Sequence, residues 1–298
     1  MEDIKHIAVL VEECLHALNV HPGGTYVDAT LGGGTHTSEI LAQSAPDGRV
    51  ASFDVDPTAL KRASERFASA GERWIGIEAN FRHIAEVVRE KSLAPVDGIL
   101  IDLGFSSDEL ADRTKGLSFL EDGPLDMRLG PQANEDGLTA AEIVNSWQRF
   151  EIEKVLKNFG EEKFAYRISE AIVTARKTAR IIGTLDLVAI IRQAVPHDYE
   201  HGRIHPATRT FQALRIAVND ELENLKRAIN GSREILKTGG RLAIISFHSL
   251  EDRIVKQQFR DAEDLIVITK KPLIPSEEEQ ASNPRSRSAK LRIAEKIS

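Results

Sequence analysis

Asp28-Ala29-Thr30-Leu31-Gly32-Gly33-Gly34-Thr35-His36 leaves the apolar stretch 25–28 and runs into a segment of helical composition. Glycines in such a turn let the backbone take positive φ and pass close to a ligand. The helix that follows presents N–H groups with no partner of their own. The next apolar stretch, 49–54, ends in Asp54, twenty residues past Gly34. An acid there can accept hydrogen bonds from two ribose hydroxyls. Strand, glycine turn, helix, strand and acid form the arrangement that binds nucleoside cofactors on a parallel sheet. Working outward, 74–79 and 96–102 read as further buried strands. Segments 37–44, 58–70 and 82–91 between them are rich in Ala, Leu, Glu and Arg. Pro57 stands where the first turn of a helix tolerates a missing N–H. Strands alternating with helices of this length predict an α/β fold of βαβ units with a parallel sheet.

Two cofactor classes compete for the loop. A dinucleotide fold asks for G-x-G-x-x-G; Gly32 and Gly34 fit, but Thr37 occupies the last position. A methyltransferase loop asks for an acid followed by glycines at alternate positions. Asp28, Gly32 and Gly34 fit, with Thr30 in place of the first glycine. S-adenosylmethionine carries an ammonium and a sulfonium and no phosphate, so an acid at the strand end suits it better than a pyrophosphate. The fourth strand runs into Asp102-Leu103-Gly104. Ligands of open parallel sheets lie outside the carboxyl ends of the strands, so Asp102 is expected where cofactor meets substrate. Phe81, just past the third strand, either stacks near an adenine or plugs the core.

The strand rhythm stops after Asp102. Between 106 and 201 apolar residues recur at spacings of three and four, which predicts helices over 138–147, 151–158, 163–177 and 185–194. A long helical stretch over 211–236 then stops at Gly239-Gly240. Strands are expected again over 241–247, 265–269 and 291–294, with a helix over 250–259 and a solvated loop over 275–284. The simplest assembly is a discontinuous domain of 1–105 and 202–298 around a helical insertion of 106–201. Lys and Arg total 39 against 46 Asp and Glu, a net charge of −7, which excludes a uniformly basic coat but allows local basic faces. The single cysteine, Cys14, excludes an internal disulfide framework and a cysteine-based metal site; no metal is expected. No apolar run approaches the ~18 residues of a membrane helix. The first residues, MEDIKHIAVL, carry acids where a signal peptide is basic, so a cytoplasmic location is expected.

Several longer stretches resemble a known family. They are His6-x-x-Val9-Leu10, FDVDP at 53–57, DGILIDLG at 97–104, GLSFLEDGPLDMR at 116–128 and FGEEKFAYRIS at 159–169. HPATRTFQALRIAVNDEL at 205–222, GGRLAIISFHSLEDRIVK at 239–256 and NPRSRSAKLRIAE at 283–295 continue the series. In this order they resemble the bacterial 16S ribosomal RNA cytosine-N4 methyltransferases, the RsmH or MraW family. The resemblance implies a class I, Rossmann-like, S-adenosylmethionine-dependent methyltransferase with a helical insertion. It also implies transfer of a methyl group to the exocyclic N4 of one cytidine in the decoding (P-site) region of 16S ribosomal RNA. The cofactor would be held by Gly34, Thr35, His36, Asp54, Phe81, Asp102 and Glu109. Family members usually carry glycine at the position of Thr35 and Gln at that of Glu109, where a carboxylate cannot donate as an amide does.

Methyl transfer is an in-line displacement from a sulfonium onto nitrogen. The cytosine amino lone pair is delocalised into the ring, so catalysis rests on positioning and on an acceptor for the amino hydrogens. Asp102 is the first candidate acceptor, with Asp126 and the 246–249 stretch next; His248 is equally expected to be a structural histidine. The base must be unstacked to reach the methyl group, which calls for local positive charge. Arg203 to Arg215 contains Arg203, Arg209 and Arg215, no acid, and His205; His205, Arg209 and Arg215 are the candidate RNA ligands. From Lys163 to Arg192 six basic residues stand against Glu170 and Asp186, and Arg285, Arg287, Lys290 and Arg292 cluster near the end. The expected partner is 16S ribosomal RNA, free or in the small subunit, with no DNA or membrane partner. A nicotinamide dehydrogenase and an inactive cofactor-sensing or RNA-binding module are the alternatives. Oligomeric state is not encoded in any of these motifs.

Overall fold

The structure, a computed structural model, describes residues 8–104, 112–130, 134, 136–200 and 204–297. Helix α1 (Val11–Leu18) precedes the alternation β1 (Thr25–Asp28), α2 (Thr35–Gln43), β2 (Arg49–Asp54), α3 (Pro57–Arg66), β3 (Trp74–Glu78), α4 (Ile84–Glu90) and β4 (Val96–Asp102). Helices follow: α5 (Ala140–Ser146), α6 (Arg149–Gly160), α7 (Ala165–Ala175), α8 (Thr184–Ala194), α9 (His197–Glu200), α10 (Thr208–Asn219) and α11 (Glu221–Ile235). The chain ends with β5 (Leu236–Ser246), α12 (Ser249–Asp261), β6 (Leu265–Val267), α13 (Glu277–Ser282) and β7 (Lys290–Lys296). Local chemistry sets the ends: Asp56 caps α3 by accepting the Thr58 N–H, and Pro57 follows at the first helical position. No helix among the described residues is long and apolar enough to cross a membrane.

The chain divides into two compact units, one of residues 1–106 and 222–298, the other of 107–221. The first carries a seven-stranded sheet in the order β3-β2-β1-β4-β5-β7-β6. Strands β1 to β5 pair in parallel, and β7 pairs antiparallel with both β5 and β6. Side chains alternate across the sheet. Val27, Phe53, Ile99, Ile101 and Ile244 pack on one face with Ile84 and Val88 of α4, Leu225 and Ile229 of α11, and Phe259 of α12. Tyr26, Val50, Leu100 and Ile245 pack on the other with Leu15, Leu18, Ile40 and Ala63 from α1, α2 and α3. Both faces are thus covered, the condition for a parallel sheet. Strand order reverses between β1 and β4, the place where such sheets bind ligands.

The second unit has its own core, including Met127, Ile143, Ile152, Leu156, Ile168, Leu187 and Ile191. Phe211, Leu214 and Val218 of α10 belong to it. The chain therefore returns to the sheet unit at 222, later than the 202 expected from the sequence. Helix α6 meets α10 so closely at Gly160 that a Cβ there would lie 2.5 Å from the Arg209 carbonyl oxygen. The helix expected over 211–236 is two helices, separated by Asp220 in the left-handed conformation at φ 49°. Gly239-Gly240 lie inside β5 rather than ending a helix. The expected loop at 275–284 contains α13, whose start Ser276 caps by accepting the Glu279 N–H.

Candidate functional site

The glycine loop is fastened to β2. Leu31 N–H donates to the Phe53 carbonyl at 2.8 Å and Gly32 N–H to Asp54 Oδ2 at 3.0 Å. Asp54 Oδ1 accepts the Asp56 N–H at 2.8 Å, so backbone donors orient both oxygens of that carboxylate. Gly32 and Gly34 have φ of 48° and 73°, the left-handed region that a side chain disfavours. Gly34 precedes α2 with no side-chain cap, and a Cβ on it would press on the Phe67 ring at 3.1 Å. Thr35 is the first residue of α2 and is half-buried.

Asp28, at the end of β1, is fully buried. Its Oδ2 accepts the Thr37 hydroxyl at 2.6 Å and its Oδ1 the Thr30 N–H at 3.2 Å. Thr37 also meets the Ser52 hydroxyl at 2.8 Å, and Trp74 Nε1 donates to the same Ser52 oxygen at 3.1 Å. Burial pushes the Asp28 carboxyl up to about 6, against the opposing pull of His36 and these hydrogen bonds. Asp28 thus anchors the loop from within. Thr37, which occupies the position a dinucleotide fold reserves for glycine, is itself fully buried in that anchor.

Asp102 ends β4 beside β1. Its backbone N–H donates to Thr30 Oγ1 at 2.7 Å, its Oδ1 accepts the Gly104 N–H at 3.2 Å, and its Oδ2 lies 3.5 Å from His36 Nε2. Thr30 therefore laces the two strand ends together, a role the sequence conceals because the position reads only as a missing glycine. Gly104 leaves no room for a side chain, since a Cβ would sit 2.7 Å from the Phe247 ring. Asp28, Asp54 and Asp102 thus end three neighbouring parallel strands. Phe81 follows β3 and the Asn80 cap, half-buried against the core shared with Ile77 and Ile84. Glu109 lies outside the described residues.

His248 is the N-cap of α12. Its Nδ1 accepts the Glu251 N–H at 3.4 Å at the start of α12, and its Nε2 lies 3.1 Å from Glu251 Oε1. Glu251 Oε2 in turn accepts the Phe247 and His248 N–H groups at 2.8 and 3.2 Å. This reciprocal box is legible in the spacing of His248 and Glu251. The Lys290 and Arg292 side chains both reach Asp252, at 3.2 and 2.6 Å. Burial alone would raise the Asp252 carboxyl, but these two cations hold it below the usual range. Two of the four basic residues expected near the end to meet RNA are therefore paired internally.

In the 107–221 unit, Asp126 takes a bidentate hold from Arg128, at 2.7 Å from both Nε and Nη2. Its burial works upward, and Arg128 outweighs it to keep the carboxyl below its usual range. Arg215 forms the same fork with Glu221, at 2.7 and 2.9 Å. Arg209 donates to the Glu161 carbonyl at 2.5 Å. The His205 ring stacks on Phe119 at 4.8 Å between centroids, and its Nδ1 accepts the Ala207 N–H. Arg176 donates to the Val144 carbonyl at 2.9 Å, near the end of α5, whereas Lys177 and Arg180 are exposed. Arg209, Arg215 and Arg176 thus each have a partner within the unit.

Comparison with known proteins agrees with the motif series. A family model described as the MraW methylase family matches residues 3–297. A protein of Carboxydothermus hydrogenoformans named ribosomal RNA small subunit methyltransferase H is 46% identical over 314 residues, covering 99% of each chain. Proteins of the same name from Brevibacillus brevis and a Geobacter strain are 44% and 45% identical, covering 98% and 100% of each chain respectively.

Proposed function

The chain belongs to the MraW methylase family, and from that premise we propose that it transfers a methyl group from S-adenosylmethionine to the exocyclic N4 of a cytidine in the decoding region of 16S ribosomal RNA. The observation that carries this reading is the pair of carboxylates ending β2 and β4, Asp54 and Asp102, with Asp28 buried behind the loop at the end of β1. Negative charge there suits a cofactor bearing a sulfonium and an ammonium, and would repel a pyrophosphate. The cofactor supplies an electrophilic methyl group. Asp54, its oxygens set by two backbone donors, is the group to accept the ribose hydroxyls, and Phe81 borders the adenine side. Asp102 is the acceptor for the amino hydrogens as positive charge develops on N4, because its side chain is held by one backbone N–H and His36 rather than by a guanidinium. That stabilisation is of the preorganised electrostatic kind.

The target base has to leave its stack. The 107–221 unit, with Lys177 and Arg180 exposed, is assigned to holding the flanking RNA. Work on ribosomal RNA would set the protein in the cytoplasm. The test is methyl transfer from labelled S-adenosylmethionine to free 16S RNA and to assembled small subunits, followed by mass mapping of the modified nucleotide. N4-methylcytidine at one decoding-region position supports the reading and shows which form is the substrate. Label on another base or another atom overturns it.

A further inference from the structure

One titratable group at the strand ends, His36, enters the scheme above only as a neighbour of Asp102. The His36 side chain is in the first turn of α2 and only 6% exposed. Its Nε2 lies 3.5 Å from Asp102 Oδ2 and makes no closer hydrogen bond. Asp28 on β1 and Glu279 on α13 add two further carboxylates to its surroundings. Glu279 is brought there by the Leu10 N–H, which donates to its Oε1 at 2.9 Å. The Cys14 thiol of α1, with Glu13 beside it, is a further titratable neighbour; burial first and then Asp102 push the thiol well up, so it stays neutral.

We infer that His36 is the positioning residue for Asp102, and that in the ligand-free protein it carries the positive charge that a cationic cofactor takes over, releasing its proton to solvent on binding. This rests on the cofactor reading given above. Burial opposes charge on the imidazole, but Asp102, then Asp28 and Glu279, outweigh it and raise its affinity for a proton. The carboxylates therefore keep a counter-charge while no ligand is present. A sulfonium or ammonium arriving among the same acids would face a like charge, which favours the neutral ring. The imidazolium loses the Nδ1 proton, and the neutral ring retains hydrogen on Nε2. That hydrogen still points at Asp102, so the carboxylate keeps its orientation while the charge leaves. Binding and proton release are then linked, and affinity rises with pH by at most about tenfold per unit below the His36 midpoint.

Two measurements decide this. The first is NMR titration of isotope-labelled histidines in the ligand-free protein, with Asp102→Asn alongside. His36 should titrate above the ordinary histidine range and fall back when Asp102 loses its charge. A His36 that titrates at or below the ordinary value with Asp102 intact overturns the inference. The second is calorimetry of S-adenosylmethionine binding near neutral pH in two buffers of different ionisation enthalpy, on the natural chain and on His36→Gln. Net release of up to one proton, abolished in His36→Gln, is expected. Release that persists in His36→Gln assigns the proton to Asp28 and overturns the inference. Binding with no proton exchange overturns it and leaves the cofactor reading standing. No binding at all overturns the cofactor reading and the release together, while the titration still decides the link to Asp102.

Discussion

Asp102 of the sheet unit and Asp126 of the helical unit are both carboxylates that the sequence offers for accepting a proton, and they are held in opposite ways. Asp126 has both oxygens on the Arg128 guanidinium at 2.7 Å. Asp102 accepts one backbone N–H at 3.2 Å and lies 3.5 Å from a buried imidazole. A bidentate guanidinium saturates a carboxylate and keeps it ionised. A loosely held one retains lone pairs for something outside the chain. The contrast extends beyond this pair. In the helical unit Arg209 and Arg215 meet a carbonyl and a carboxylate of their own chain. At the strand ends, acids are oriented by backbone N–H groups and hydroxyls. Charge that is matched by charge within the fold reads as structure. Asp102, held by one backbone N–H and an imidazole, is not saturated in this way.

The sharpest way to break this contrast is Asp102→Asn. Single-turnover methyl transfer should fall about 10²-fold or more, by the scale of single electrostatic contacts in active sites, with the melting temperature unchanged. The matching change Asp126→Asn should leave the rate near normal and lower the melting temperature instead. The reverse pattern would exchange the roles of the two acids. Next in size is Asp54→Ala. Losing a charged hydrogen-bond partner costs about 1.5–3 kcal/mol, roughly ten- to hundredfold in affinity, and calorimetry with S-adenosylmethionine should show it. Unchanged affinity would remove Asp54 from the ribose site.

Asp28 allows a pH test of the buried end of the contrast. Its carboxyl sits at about 6 when folded against about 3.9 in an unfolded chain. The folded state then binds the extra proton, so this group's contribution falls as pH rises through that window and is fully unfavourable above it. Its size is on the order of 3 kcal/mol. Denaturant midpoints between pH 4 and 7 should drop less steeply for Asp28→Asn than for the natural chain. Parallel curves would show that the group titrates normally. The smallest effects belong to the basic residues of α7 and the turn after it. Arg176→Ala should lower stability by about 1 kcal/mol through its missing bond to Val144. Lys177→Ala with Arg180→Ala should leave stability alone and reduce the salt slope of RNA binding by about one for each phosphate no longer neutralised. A full salt slope in that double variant would take this surface out of the RNA footprint.

These two regions also differ in how much of them is legible in the sequence. The strand ends are legible because a glycine turn, an acid at the end of the next strand and an acid at the end of the fourth are local patterns. The sheet turns local position into proximity without further information. Thr30 misleads, since its hydroxyl matters only once β4 lies beside β1. Asp126, Arg209 and Arg215 mislead for the complementary reason. Partners such as Arg128 stand nearby in the chain, but nothing in a charge count distinguishes a guanidinium facing solvent from one folded onto Glu221. The insertion boundary lies at 222 because α10 carries apolar residues that suit either core equally well in sequence. His248 shows the other side: its box with Glu251 is local and readable, and only the expectation of catalysis obscures it.

Strand β7 lies between β5 and β6, although it is the last strand to be made. Every hydrogen-bond ladder at that side of the sheet, on both of its edges, waits for residues 290–296. Among the described residues, the buried core of the helical unit comes from 125–218, with Leu117 and Phe119 packed against it. On a ribosome, therefore, the middle of this chain can fold while the sheet around it is still missing an interior strand. The residues of the helical core are thus made before the sheet unit receives its interior strand β7.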